Sequence, residues 1–178
     1  IIGGGIDLSA GSIMALAGII SAMVLAHGGG VIISFVAGLG LGIFLGCVNG
    51  VLISKAKLPP FIATLGMMSI ARGLCYGLTD GWPIRGLSES FRFLGQHDVP
   101  LFLWKVPLPA IFMIVLAIIS FIFLNSTRYV YHIYAVGGNE ISASLAGINI
   151  DRIKILVYIL SGLFTAVGGI LMTSRLGV

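Results

Sequence analysis

Asp7, Ser9 and Ser12 follow three consecutive glycines in the run Gly3-Gly4-Gly5-Ile6-Asp7-Leu8-Ser9-Ala10-Gly11-Ser12. A carboxylate with hydroxyls two and five residues on can hydrogen-bond a polar solute, or fold back on its own backbone. Because the run is set among apolar residues, it makes a poor lipid-facing helix. Irregular backbone at membrane depth is tolerated only where protein or a water-filled cavity covers it, and an ionisable residue there marks a functional site. The plainer reading has Asp7 capping a helix that begins near Ala10, with Ser9 helping. The two readings are compatible, since a broken helix lining a path also needs a cap. Four more polar residues fall inside apolar runs: Asn49, Thr64, Ser69 and Arg72. An Arg at a helix centre costs about 2.5–3.5 kcal/mol on insertion scales, so Arg72 should face the protein interior or snorkel to an interface. Asn49 can hydrogen-bond across helices or simply pack. Asp7, Ser9, Asn49, Thr64, Ser69 and Arg72 are therefore the candidate residues of a polar path.

Catalytic patterns are missing. There is no Gly-rich loop ending in Gly-Lys-Ser/Thr, no His-Glu-x-x-His, and no pairing of Cys with His that spacing supports. Ala10-Gly11-Ser12 lacks the following glycine of a serine nucleophile turn. Cys47 and Cys75 both lie in apolar runs and are expected to pack as small hydrophobes, without a metal site or a disulfide framework. A net charge of +4, scattered and without a basic cluster, excludes nucleic acid as a partner.

Composition sets the class. Of 178 residues, 58% are hydrophobic and 9% charged, with a mean hydropathy of +1.13. Soluble domains carry about 25% charged residues, so this is a membrane protein in contact with lipid. The spacing predicts about five spans in an all-α, polytopic bundle: 10–27, 31–54, 61–78, about 106–124, and 153–173. The chain opens within an apolar stretch and lacks an initiator Met. It is therefore expected to be part of a single transmembrane domain with further spans at both ends.

The 31–54 span carries Ser34, Gly38, Gly42, Gly46, Gly50 and Ser54 at every fourth position. In lipid such a stripe lets another backbone approach closely, which makes this span a central packing post. Ser161, Thr165 and Gly169 repeat in the same way in the last span, with Gly162 and Ala166 beside them, so that face should pack tightly as well. Residues 79–105 read as a long polar connection whose Trp82, Phe91, Phe93, Phe102 and Trp104 rest at headgroup level. The 106–124 span is nearly featureless and should face lipid.

Residues 137–149 form a polar island bracketed by glycines. Asn139 suits a helix N-cap and Glu140 the positive end of the helix after it. Ile141, Leu145 and Ile148 recur at helical spacing, Gly138 and Gly147 permit turns, and Asp151 is placed to cap the next helix. The short amphipathic helix either rests on headgroups or offers an apolar knob to a partner. Lys55, Lys57, Arg128, Arg152 and Lys154 lie on its side of the membrane, against Arg85, Arg92, Lys105 and Arg175 on the other. Five against four is a small positive-inside bias towards the side of this helix, too small to set the orientation alone.

Several of these runs resemble one family. His132-Ile133-Tyr134-Ala135-Val136-Gly137-Gly138-Asn139-Glu140, with Ala143, Leu145-Ala146-Gly147-Ile148-Asn149 and Lys154, is similar to the cytoplasmic coupling segment of ribose and simple-sugar permeases of the ABC importers. Gly4-Gly5-Ile6-Asp7-Leu8-Ser9, Pro59-Pro60-Phe61-Ile62-Ala63-Thr64-Leu65-Gly66 and Ser69-Ile70-Ala71-Arg72-Gly73-Leu74 also match its pattern. The resemblance implies a prokaryotic plasma (inner) membrane subunit that imports a monosaccharide and has no catalytic residues of its own. It further implies that Gly138, Asn139, Glu140, Ile141, Ala143, Leu145, Gly147 and Ile148 dock on a separate ATPase subunit, which holds ATP and Mg. A periplasmic or lipoprotein sugar-binding protein and a second permease copy or homologue complete the assembly. Two alternatives stand beside it: a branched-chain amino-acid permease of the same superfamily, and, from another class, an intramembrane serine protease.

Overall fold

A computed structural model of the chain describes residues 2–101 and 104–177; Phe102 lies outside them. The elements in order are α1 (Ala10–Ala26), α2 (Val31–Ser54), α3 (Pro60–Thr79), α4 (Glu89–Gln96), β1 (Asp98–Leu101), β2 (Trp104–Pro107), α5 (Leu108–Ser126), α6 (Arg128–Gly138), α7 (Glu140–Leu145) and α8 (Ile150–Leu176). The fold is an all-α polytopic bundle. Helices α2, α3, α5 and α8 are long and apolar enough to cross a membrane, and the 17-residue α1 is a shorter apolar helix beside them.

The bundle is held together by missing side chains. Along α2, a Cβ on Gly50 would lie 2.7 Å from Ile155 Cα, and one on Gly46 would collide with the Tyr158 carbonyl of α8. A Cβ on Gly38 would come within 3.0 Å of the Ala17 carbonyl of α1. Gly169 in α8 is pressed just as closely against the Met14 backbone of α1. Without a hydrophobic drive between helices in lipid, such backbone-to-backbone approach supplies the dispersion contacts that replace it. A polar pin joins α1 to α2, since Ser34 Oγ donates to the Ser21 carbonyl at 2.5 Å. On α8 the tight stripe is Gly162, Ala166, Gly169 and Ile170; Ser161 and Thr165, expected in it, are only half-buried beside it. The closest contact on that face thus falls on Gly162, Ala166 and Gly169, the first two being the neighbours of the four-residue repeat.

Among the described residues, helix α5 has no buried residue. The connection 79–105 holds more structure than its polarity implied. Helix α4 buries Phe91 completely and is tied to the end of α8 by Ser174 Oγ, which donates to the Phe91 carbonyl at 2.6 Å. Gln96 Nε2 adds a bond to the Arg175 carbonyl at 3.1 Å. A two-stranded antiparallel hairpin follows, with Val99 opposite Val106 and Pro100 opposite Lys105. Phe91 is thus a core residue, whereas Trp82 and Phe93 are exposed.

These contacts also sort the two sides of the bundle. Residues 89–96 meet the end of α8, whereas Lys57, after α2, pairs with Asp151 at its start at 3.4 Å. The loop 55–59 and the segment 127–149 therefore share one side, which carries the five basic residues.

Candidate functional site

Two sites carry the polar residues that the bundle cannot explain as packing. The first is built on the segment 2–9, which runs without helix into α1. Its backbone is threaded between four helices. Gly4 comes to Gly137 at the end of α6, and Gly5 abuts the Tyr158 hydroxyl of α8 and the Pro60 ring of α3. Thr64 Oγ1 donates to the Pro60 carbonyl at 2.8 Å, with the Ile6 carbonyl 3.3 Å away. The irregular backbone is covered by protein in part: Ser9 is buried and Gly3, Gly5, Asp7 and Leu8 are half-buried, whereas Ile2, Gly4 and Ile6 are exposed.

Asp7 is the hub. Its Oδ1 accepts from Ser9 N at 2.9 Å and from Ser9 Oγ at 2.6 Å. Its Oδ2 accepts from Ser161 Oγ of α8 at 2.7 Å. Ser9 Oγ in turn accepts from Asn49 Nδ2 of α2 at 2.9 Å, and both residues are fully buried. Asn49 therefore hydrogen-bonds across helices and does more than pack. The capping expectation is corrected: Ser9 occupies the N-cap position of α1 without a side-chain cap bond, and Asp7 spends its oxygens on Ser9 and Ser161. A carboxylate accepting three bonds is the arrangement that makes a charge tolerable in a low-dielectric interior. Among the described residues, Asn49 Oδ1 and the Tyr158 hydroxyl find no hydrogen-bond partner although both are buried.

Asp7, Ser9, Asn49 and Thr64 are thus brought together around one segment. Ser69 and Arg72 are not. Both are exposed on α3, Ser69 Oγ turning back to the Leu65 carbonyl at 3.2 Å. The expectation that Arg72 faces the interior of this bundle is corrected. Gly66, Gly73 and Gly77 are open on the same helix, with nothing within 4 Å of a built Cβ. Ser161 joins the Asp7 site although the sequence marked it only for packing. Tyr158 and Lys154 line the same cavity, and their spacing with Ser161 on one face of α8 was the signal available for them.

The second site is α7, a six-residue helix clamped at both ends. Asn139 Oδ1 accepts from Ser142 N at 3.0 Å, the N-cap bond expected of it. At the other end Gly147, at φ +82°, lets Ile148 N reach the Ala143 carbonyl and Gly147 N the Ser144 carbonyl. That paired 6→1 and 5→2 arrangement closes a helix best with glycine. Gly138 serves no turn of its own; it is the last residue of α6. Glu140 pairs with Lys154 of α8 at 2.6 Å. Asn149, and not Asp151, caps α8 by accepting from Arg152 N at 3.0 Å.

Ala143 is buried and Ile148 half-buried against Ile133, Val136 and Ile153. Ile148 therefore does not share an outward face with Ile141 and Leu145, because the turn at Gly147 carries it inward. Ile141 and Leu145 are 75% and 87% exposed, one helical turn apart on α7. They are bare apolar side chains on a rigidly held polar loop. Among the described residues no group of three His, Cys, Asp or Glu side chains is placed to hold a metal.

Comparison with known proteins shows what else carries this pattern. Residues 1–178 match the family described as "branched-chain amino acid transport system / permease component". The chain is 40% identical over 176 residues to the ribose import permease protein RbsC of Bacillus subtilis, covering 99% of this chain and 54% of that protein. It is 38% identical over 174 residues to the L-arabinose transport system permease protein AraH of Escherichia coli, covering 97% and 52%. It is 35% identical over 188 residues to the galactose/methyl galactoside import permease protein MglC of Haemophilus influenzae, covering 97% and 56%. The chain thus spans about half the length of the curated relatives it matches. No solved structure matches it.

Proposed function

Since this chain belongs to the family of branched-chain amino acid transport system permease components, we propose that it is part of the membrane-spanning subunit of an ATP-driven importer, and that its cargo is a simple sugar. Similarity to ribose, arabinose and galactose permeases over nearly the whole chain supports the cargo class. The geometric observation that carries the reading is the bare Ile141–Leu145 face on the clamped helix α7.

On this reading a separate ATPase subunit, holding ATP and Mg, covers Ile141 and Leu145 on the cytoplasmic side of a prokaryotic plasma membrane. A soluble or lipid-anchored sugar-binding protein delivers cargo to the other side, near α4 and the hairpin. When the ATPase closes, α7 moves. The Asn139 cap, the Gly147 turn and the Glu140–Lys154 pair pass that movement to α6 and α8. Because α8 is packed backbone to backbone on α2, the two helices shift as one body between alternative arrangements. Asp7, Ser9, Asn49 and Thr64 keep the segment 2–9 from unravelling while this happens.

The cargo path itself borders the open face of α3. Arg72 in hydrocarbon would cost about 2.5–3.5 kcal/mol, so a second permease copy or a water-filled path, not lipid, covers that face. Ser69 and Arg72 then offer hydrogen-bond donors to sugar hydroxyls.

Uptake of labelled ribose, arabinose, galactose and leucine, in cells with and without the gene, tests the cargo class. Gene-dependent entry of one of the sugars is expected. Entry of leucine alone would favour the amino-acid reading that the family description carries, and entry of none would refute the transport reading for these cargoes.

A further inference from the structure

Lys154 stands between two carboxylates that belong to different sites. Its Nζ is paired with Glu140 of α7, and its side chain is largely covered, 18% exposed. The same lysine lines a cavity of about 60 Å³ with Gly3, Gly5, Asp7, Tyr158 and Ser161. A water-sized group such as an ammonium needs only about 10–15 Å³, so the cavity admits the lysine head. Two features inside it await a donor. Among the described residues, Ser161 is the one donor to Asp7 Oδ2, and the Tyr158 hydroxyl is buried with no partner. Orphaned buried hydroxyls are rare enough to call for an explanation, and a second position of a neighbouring side chain is one. Lys154, Tyr158 and Ser161 share one face of α8 and line the same cavity, which sets the lysine side chain beside both acceptors.

We infer that Lys154 is a positioning residue exchanged between Glu140 and Asp7, tying the position of α7 to the grip on the segment 2–9. With α7 in the position seen here, Glu140 holds the ammonium. When α7 is drawn away, the ammonium turns into the cavity, donates to Asp7 Oδ2 and the Tyr158 oxygen, and clamps the segment. Among the described residues, Lys154 is the basic side chain that lines this cavity, and Lys57 nearby pairs with Asp151. The inference rests on the reading of α7 as the helix that an ATPase moves, but its test does not need sugar transport.

Hydrogen exchange of the segment 2–9, in the intact protein reconstituted in lipid nanodiscs without an ATPase, provides that test. Glu140→Gln removes one of the two competing partners of Lys154 and should slow exchange in 2–9 about threefold or more, the scale of coupling between residues in one polar network. The slowing should vanish when Lys154→Met is added, and equally when Asp7→Asn is added. Unchanged or faster exchange in Glu140→Gln would overturn the inference, as would slowing that persists with Lys154→Met. Should Asp7→Asn fail to accumulate in the membrane, Tyr158→Phe takes its place in the cycle: it removes the other acceptor of the turned ammonium and should reduce the slowing, and slowing left at full size would overturn the inference. Failure of sugar uptake in the wild-type protein would strike the transport reading and leave this exchange result standing.

Discussion

Gly42 on α2 and Gly162 on α8 exclude each other's side chains. A Cβ on Gly42 would lie 2.5 Å from the Gly162 carbonyl oxygen, and a Cβ on Gly162 would meet the Gly42 carbonyl oxygen in return. The contact is reciprocal and made by backbone, which cannot swing aside as a long side chain can. It fixes the pair of helices on which both candidate sites depend.

Gly42→Leu and Gly46→Leu should therefore separate α2 from α8 and destabilise the bundle by about 3 kcal/mol or more, at or beyond the upper range of core overpacking. Gly40 on the same helix has nothing within 4 Å of a built Cβ, so Gly40→Ala should be nearly neutral. Thermal unfolding in detergent distinguishes them. Equal stability of Gly46→Leu and Gly40→Ala would contradict the packing account.

Asn49→Ala and Ser161→Ala each remove one bond from the chain of contacts that ends at Asp7. Each should cost about 1–2 kcal/mol and raise hydrogen exchange in residues 2–9. Exchange confined to wild-type rates in both variants would mean the segment is held by packing alone.

The five helices and the α2 stripe were legible because period and length in lipid have few solutions: an apolar run of about 20 residues spans, and glycines at every fourth position face a neighbour. The clamped ends of α7 were legible too, as Asn139 and Gly147 act through local backbone chemistry. What lies across the chain was not. Ser161 and Asp7 are 154 residues apart, and nothing in either local pattern pairs them. Ile148 obeys the helical spacing of Ile141 and Leu145, yet the Gly147 turn ends the helix first and sends it inward. Arg72 was placed by the cost of its charge, an argument that says what must not cover it but not which side of α3 it takes. Helix α4 was hidden by its polarity, because its buried face is short and consists mainly of Phe91 and Gly95.

Arg72 and Ser69 should be reachable from water. Cysteine at either position is expected to react with a membrane-impermeant thiol reagent in at least one transport state, while cysteine at Ile118, on the apolar surface of α5, should stay unmodified. Complete protection of positions 69 and 72 in every state would contradict a path along α3.

The clamps on α7 should matter in proportion to their chemistry. Asn139→Ala loses the N-cap bond and should destabilise the short helix by about 1 kcal/mol. Gly147→Ala forces a side chain into a positive-φ conformation and should cost at least as much. Both are expected to lower recovery of an ATPase with the permease without abolishing it, as judged by co-purification at matched permease levels.

Leu145→Glu tests the central claim most directly. The side chain is 87% exposed and touches no core cluster, so the variant should insert and fold as the wild type does. If α7 is the docking helix for an ATPase, a charge at the centre of that contact should reduce co-purification of the ATPase at least tenfold and abolish transport-linked ATP hydrolysis, in line with losses at buried interface anchors. If α7 merely rests on lipid headgroups, a glutamate there leaves the association untouched. Recovery of the ATPase with Leu145→Glu is the deciding measurement: near-complete loss is the result predicted, and undiminished recovery would contradict the account.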